Sequence, residues 1–397
     1  MYELHLTTKR RAYEPISFGC ILISVIFFLV LSQFIFSFIP DIVSQAFRPV
    51  IVITLIIMVE KRKIALHEPA HTISLAAAFY CGFVLLLHNI DSEVFISGMN
   101  TVMYLLMFYT ATKVYWNRRE IRLIIFSVFV GTFICTVILL ASNPALDFSV
   151  ADSGHVRFLD REVNRNMNAY ACAIGFAIGL MYLIKGRNIP RFLFFLCTAI
   201  LGYGLLYSQC RGAFFSAVAA CAVLAVDWLV HIKRTRGDAA FLLWLIFLIA
   251  FVIISYFSIK NSELRRLIDG ENTSGRDVAI KAAWQLFLDS DLFGKIFGNG
   301  YMYETRTTQS IISHLVYTVY LVATGIIGVS LITAMFFSSA ARLRGFIPFA
   351  FFVIAFARTF FEPLDYYSYI PLIISSVSNH YLIETEESCS VLFSKQK

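Results

Sequence analysis

The sequence predicts an all-α, polytopic integral membrane protein, and three observations carry that prediction. Hydrophobic residues make up 58% of the 397 residues and charged ones only 15%, too little polar surface to cover a water-soluble globule of this length. Apolar stretches long enough to cross the hydrocarbon as helix recur along nearly the whole chain, with short gaps between them. Alternation at period two, which a closed barrel would require, is absent.

About twelve spans follow. The first, 17–39, comes after Lys9, Arg10 and Arg11. It is too long for a signal-peptide apolar region and lacks a small-x-small cleavage site, so it is expected to stay as a helix. A second, shorter span at 46–59 ends on EKRK at 60–63. The third, 70–88, starts beside Pro69, a residue suited to a first helical turn. Spans at 95–114 and 121–142 flank the basic connection Lys113 to Arg122, and a first large loop occupies 143–167. Spans at 168–184 and 192–208 flank KGRNIPR at 185–191, and a short turn at 209–212 leads to 213–230. HIKRTR at 231–236 precedes a ninth span at 239–258, which opens into a second, larger loop at 259–314. The last three, 315–337, 345–358 and 368–384, are joined by ARLR at 341–344 and by a turn at 359–367. The whole chain, 1–397, reads as a single polytopic membrane domain.

Basic residues crowd alternate connections, and short basic loops stay in the cytoplasm. Both termini are therefore expected inside, with 143–167 and 259–314 outside. The net charge of +7 is then mostly an insertion signal, and no nucleic-acid partner is needed to explain it.

Two patterns suggest chemistry and fail on inspection. His67-Glu68-Pro69-Ala70-His71 spells HExxH, whose zinc chemistry needs both imidazoles on one helical face; Pro69 between them prevents that, and no metal is expected. Of the eight cysteines, Cys20, Cys81, Cys135, Cys172, Cys197 and Cys221 sit inside apolar spans, where cysteine acts as a small hydrophobe. Paired spacing is missing.

The charges on the outer side carry more. Arg211, in SQCRGAFFSA at 208–217, interrupts two long apolar segments, a costly position that usually marks function. Arg276 in NTSGRD and His314 in SHLVYTVYLVATGIIG fall on the same side. The first outer loop adds Arg157, Arg161 and Arg165, with Asn166 and Asn168 at the mouth of the next span. Arginine's fork matches two phosphate oxygens at once, so the anion this set suits is a diphosphate. RTFFEPLDYYSY at 358–369 brings Arg358, Glu362 and Asp365 to the same side, as a charged turn capping a helical hairpin or as part of a site. Its tyrosines, Tyr366, Tyr367 and Tyr369, suit an interfacial belt or a sugar-stacking surface.

At these residues the chain resembles a family, the bacterial membrane enzymes that include O-antigen ligases, O-antigen polymerases and exopolysaccharide polymerases. The resemblance covers roughly 155–370. It is carried by NRNMNAYA at 164–171, YSQCRGAFF at 207–215, SGR with Trp284 downstream, GNG at 298–300, and His314 followed by Gly325 and Gly328. What it implies is a metal-independent glycosyltransferase of the bacterial inner membrane with no cofactor, acting on undecaprenyl-diphosphate-linked oligosaccharide at the periplasmic face. By the same resemblance Arg211 and Arg276 hold the diphosphate and His314 is the catalytic residue. Membrane lipid, and a chain-length regulator or flippase, are the other partners implied.

The physical logic is consistent with this. Fixed arginines in a water-poor pocket stabilise the growing negative charge of a diphosphate leaving group more in the transition state than in the ground state. An imidazole with a pKa near 6.5 can take the proton of an attacking hydroxyl. In the ligases an asparagine, serine or glutamine usually follows the histidine; here it is Leu315, and the second loop is short for a ligase. Polymerisation of lipid-linked repeat units is thus preferred over ligation to lipid A–core. A transporter or flippase for the same substrate is the competing class, and it should place its binding groups near the midplane on broken helices.

Overall fold

The computed structural model describes residues 15–32, 38–61, 69–88, 92–142, 155–158, 161–185, 191–208, 210–231, 276–301, 303, 316–360, 362 and 364–379. Thirteen helices and one strand pair occur among them. In chain order they are α1 (Phe18–Leu31), α2 (Asp41–Lys61), α3 (Pro69–Leu87), α4 (Ser92–Lys113), α5 (Arg118–Ser142), β1 (His155–Phe158), β2 (Arg161–Asn164), α6 (Arg165–Lys185), α7 (Arg191–Tyr207), α8 (Arg211–His231), α9 (Arg276–Asp289), α10 (Leu292–Phe297), α11 (Val316–Ala340) and α12 (Phe346–Arg358), followed by a helix over 366–379, α13. Stretches of α2 to α6 and of α11 make six helices long and apolar enough to cross a membrane; α1, α7 and α12 are shorter and also apolar. The protein is a helical, membrane-type fold. The expected ninth span, 239–258, lies outside the described residues.

Three element boundaries differ from the sequence reading. The first helix stops at Leu31 and the second begins at Asp41, just after Pro40, whose carbonyl accepts from the amides of Val43 and Ser44. Asp41, Gln45 and Arg48 hide this start from a hydropathy reading, and Pro49 lies inside the helix. In the first large loop, β1 and β2 pair antiparallel with His155 opposite Asn164, and α6 follows directly from Arg165. The second large loop contains α9 and α10.

Among the described residues, two of the basic connections, Lys113 to Arg122 and 341–344, lie at one end of the bundle, since Ile121 and Val377 line one crevice and Asn379 Oδ1 accepts from the Arg344 amide. Here Glu120 is buried in a capping box: its amide donates to Asn117 Oδ1 (2.9 Å), and its Oε2 accepts from the Asn117 amide (3.2 Å). Its other oxygen accepts from both the amide and the hydroxyl of Ser17, the N-cap of α1. One carboxylate thus fixes the starts of α1 and α5, satisfying amides that lipid could not. Above it the two helices pack closely, because a Cβ at Gly131 would sit 2.7 Å from the Phe28 carbonyl. Small residues at such crossings are what lets membrane helices approach.

Helices α5, α6, α7, α8 and α12 pack on one another with α1 against α5, while α2, α3, α4 and α11 form a second group. The first turns of α13 join the groups at the end opposite the basic loops. Tyr369 stacks on Tyr104 of α4 at 5.2 Å, and the Tyr367 hydroxyl donates to the Val30 carbonyl of α1.

Candidate functional site

Among the described residues, Asn168, Arg211, Arg358 and Glu362 are the sequence-predicted residues that gather at the end opposite the basic loops. Its central feature is Arg358, the last residue of α12, which is 1% exposed. Its Nη2 meets Asp365 Oδ2 at 2.5 Å, and its guanidinium lies 4.2 Å from the Tyr170 ring centroid and 5.2 Å from that of Tyr367. Two rings and a carboxylate therefore contact the cation, which offsets part of the cost of burying it; its Nε and Nη1 make no hydrogen bond among the described residues. Asp365 is held in turn as the cap of α13: Oδ1 accepts from the Tyr367 amide, and its carbonyl from the amides of Ser368 and Tyr369. Burial pushes the Asp365 carboxyl above the usual range; Arg358 opposes this, and the nearby Glu362 carboxylate adds to it.

Glu362 is buried as well and accepts from Asn166 Nδ2 at 2.6 Å, so the 358–365 turn is tied to the first turn of α6. Two residues on, Asn168 is buried and donates to Ser208 Oγ, while its carbonyl oxygen accepts from the Cys135 thiol. These bonds tie α6 to the end of α7 and to α5. Ser208 lies three residues before Arg211, and α8, which Arg211 opens, packs against α6 and α12. Arg211, Asn168, Arg358 and Glu362 therefore belong to one corner, built from the ends of α6, α7, α8 and α12.

Arg48 was missed by the sequence reading. It lies inside α2, half-buried; its Nε donates to the Tyr104 hydroxyl at 3.1 Å, and its guanidinium packs 5.3 Å from Tyr104 and 5.2 Å from Tyr366. The signal was an arginine next to a proline within an apolar run. Arg48 also interacts electrostatically with Asp365, the partner of Arg358. The rings of Tyr104, Tyr170, Tyr366 and Tyr367 are engaged by guanidinium groups, and Tyr366, Tyr367 and Tyr369 are buried. In this arrangement those tyrosines bind helices to one another and are not open as a stacking surface.

The remaining candidates occupy helix starts or lie outside the described residues. Arg165 opens α6, Arg211 opens α8 half-buried, and Arg276 opens α9. Neither α6 nor α8 has an acidic residue in its first turn. Arginine there is against the usual preference, because the positive end of the helix dipole already favours anions. Arg157 and Arg161 are on the β1–β2 hairpin. The helix that Arg276 opens, α9, packs on α10 and α11. His314 lies outside the described residues; α11 begins two residues later, where the Val316 amide donates to the Thr359 carbonyl at 3.0 Å, next to Arg358. Tyr317 also packs on Phe360 at 5.5 Å.

Helix α11 is interrupted. Gly325 has φ 66° and ψ −170°, and the freed carbonyls of Val322 and Ala323 accept from the amides of Asn299 and Gly300. The Thr324 carbonyl takes the Tyr80 hydroxyl at 2.9 Å. The GNG run thus docks its backbone into the break, and both sides need glycine, because Gly298 also has positive φ and a Cβ there would meet the Ala323 carbonyl at 2.2 Å. No protein-family model matches the chain, and no characterised relative or solved structure similar to it was found.

Proposed function

We propose that this protein is a membrane glycosyltransferase that polymerises undecaprenyl-diphosphate-linked oligosaccharide repeat units at the periplasmic face of the bacterial inner membrane. The observation that supports the reading is that α6, α8 and α9 open with Arg165, Arg211 and Arg276, outside the connections that the sequence assigns to the cytoplasm. Arginines at the basic end are accounted for by retention in the cytoplasm; these are not. A cation set on the positive end of a helix is a place for an anion, and a diphosphate offers oxygens for more than one fork.

On this reading about twelve spans cross the membrane with both termini inside, and Arg211 and Arg276 hold the diphosphate. His314, beside the anchored start of α11, takes the proton of the attacking sugar hydroxyl. Arg157, Arg161 and Arg165 border the approach. Asn168, Arg358 and Glu362 hold the corner in shape. Ligation to lipid A–core uses the same donor chemistry with a different acceptor.

Transport of the same substrate is favoured by one feature, the broken helix at Gly325. The carbonyls that the break frees are taken by Asn299, Gly300 and Tyr80, which argues for a packing joint over an open site. Glycan gels of a deletion strain test the reading. Single-repeat side chains are expected, accumulation of long chains on undecaprenyl diphosphate would indicate a ligase, and loss of all surface glycan with substrate held inside would indicate a transporter.

A further inference from the structure

The larger loop, read from sequence as lying on the outer side, contains an apolar surface. On α9 and α10 the side chains of Val278, Trp284, Leu288, Leu292 and Phe293 are exposed, Leu292 at 74%. The opposite side of α9 is spoken for, since Ala283 and Phe287 are buried against Val322 of α11. Five large apolar groups in twenty residues is a poor surface for water.

The backbone gives the depth of this surface. Asn299 and Gly300 hydrogen-bond to the carbonyls of Val322 and Ala323, six and seven residues into α11, or about 10 Å along its axis. Tyr80, seven residues before the end of α3 and likewise about 10 Å from it, reaches the carbonyl of Phe297 at 3.3 Å. Gly98 of α4 packs on Tyr301. The end of α10 is thus set among the outer turns of three helices that are long and apolar enough to cross a membrane. Phe79, Phe83 and Leu86 of α3, the helix that Tyr80 joins to the end of α10, are exposed as well, so both helices present large apolar side chains. Lys281 and Lys295 lie on α9 and α10, with stems long enough to carry their charge back to water, and tryptophan is the side chain that membrane interfaces favour.

We infer that α9 and α10 form an interfacial element seated in the outer leaflet, with Trp284, Leu288, Leu292 and Phe293 at the boundary between headgroups and acyl chains. The occupant of this surface is bilayer lipid. A helix lying in the interface buries its apolar side roughly 5–10 Å into the boundary between headgroups and acyl chains, a scale similar to the distance of about 10 Å between these hydrogen bonds and the described start of α11. This inference needs only that α3, α4 and α11 span the membrane; it does not rest on the glycosyltransferase reading.

The test is fluorescence of Trp284 as the single tryptophan, with Trp116, Trp228 and Trp244 replaced by phenylalanine, in liposomes of phosphatidylcholine brominated at shallow or deep acyl positions. Strong quenching by shallow bromines, weaker quenching by deep ones and protection from iodide are expected. Quenching by iodide and not by bromine would overturn the inference in favour of water. Quenching by neither would overturn it in favour of a protein partner, including a second copy. Because Trp116 is buried and its replacement can disturb folding, a nitroxide attached at Leu292→Cys, in a background without the native cysteines, gives an independent reading. Collision with oxygen should exceed collision with a water-soluble nickel chelate, and the reverse would contradict the inference.

Discussion

Arg358, buried, and Asp365, partly buried, form an ion pair, Nη2 to Oδ2 at 2.5 Å, that closes the turn between α12 and α13, with Tyr170 and Tyr367 against the guanidinium. Removing one member of such a pair leaves an uncompensated charge, which costs about 3–5 kcal/mol. Arg358→Ala and Asp365→Ala are each expected to lower the thermal midpoint in detergent sharply. The double variant should lose much less than the sum, because the second substitution removes the orphaned charge. Additive losses in the double-mutant cycle would show that the two residues act separately.

The Asp365 carboxyl titrates above the ordinary aspartate value near 3.8, chiefly because it is buried. The native state therefore holds that proton more tightly than the unfolded state does. Stability should fall as pH rises through the window that opens near 3.8, and level off above the raised native value. Thermal unfolding measured across the acid range should show this slope, and Asp365→Asn should flatten it. A slope unchanged in Asp365→Asn would assign it to another group.

The joint between α11 and the GNG run depends on main chain at Gly298 and Gly325, both at positive φ with a carbonyl where a Cβ would go. Gly298→Ala and Gly325→Ala are expected to destabilise the protein by more than about 1–3 kcal/mol, since strain and overlap add. Asn299→Ala should cost less, because its part in the joint is its amide and its side chain only reaches Ser290. Expression and thermal midpoints of the three variants give the comparison.

Much of the fold was legible because a membrane span announces itself by length and hydropathy. What failed was local. The start of α2 was hidden by Asp41, Gln45 and Arg48, and the cost of Arg48 is met by Tyr104 and Tyr366 from elements far away in sequence. The seating of α10 depends on main-chain bonds to α11, and no side-chain pattern encodes those. Arg358, Glu362 and Asp365 were visible as charges, but their partners on α6 were not, since pairing at long range leaves no mark in a single sequence.

If Arg211 and Arg276 hold a diphosphate, charge alone is insufficient, because lysine does not reproduce a bidentate fork. Arg211→Ala and Arg276→Ala should abolish glycan extension at normal protein levels, a loss on the order of 2–5 kcal/mol in donor contact. The lysine versions should recover little. Normal extension in either alanine variant would remove that residue from the site.

The most direct test of the account is transfer by the purified protein in liposomes, supplied with one undecaprenyl-diphosphate-linked repeat unit, in EDTA and without nucleotide. The account predicts a ladder of lengthened glycans on lipid. That ladder should be lost with Arg211→Ala and reduced at least about a hundredfold with His314→Ala, the usual scale of a proton-transfer contribution. Repeat units that cross the bilayer without being lengthened would contradict it, and would make the protein a transporter.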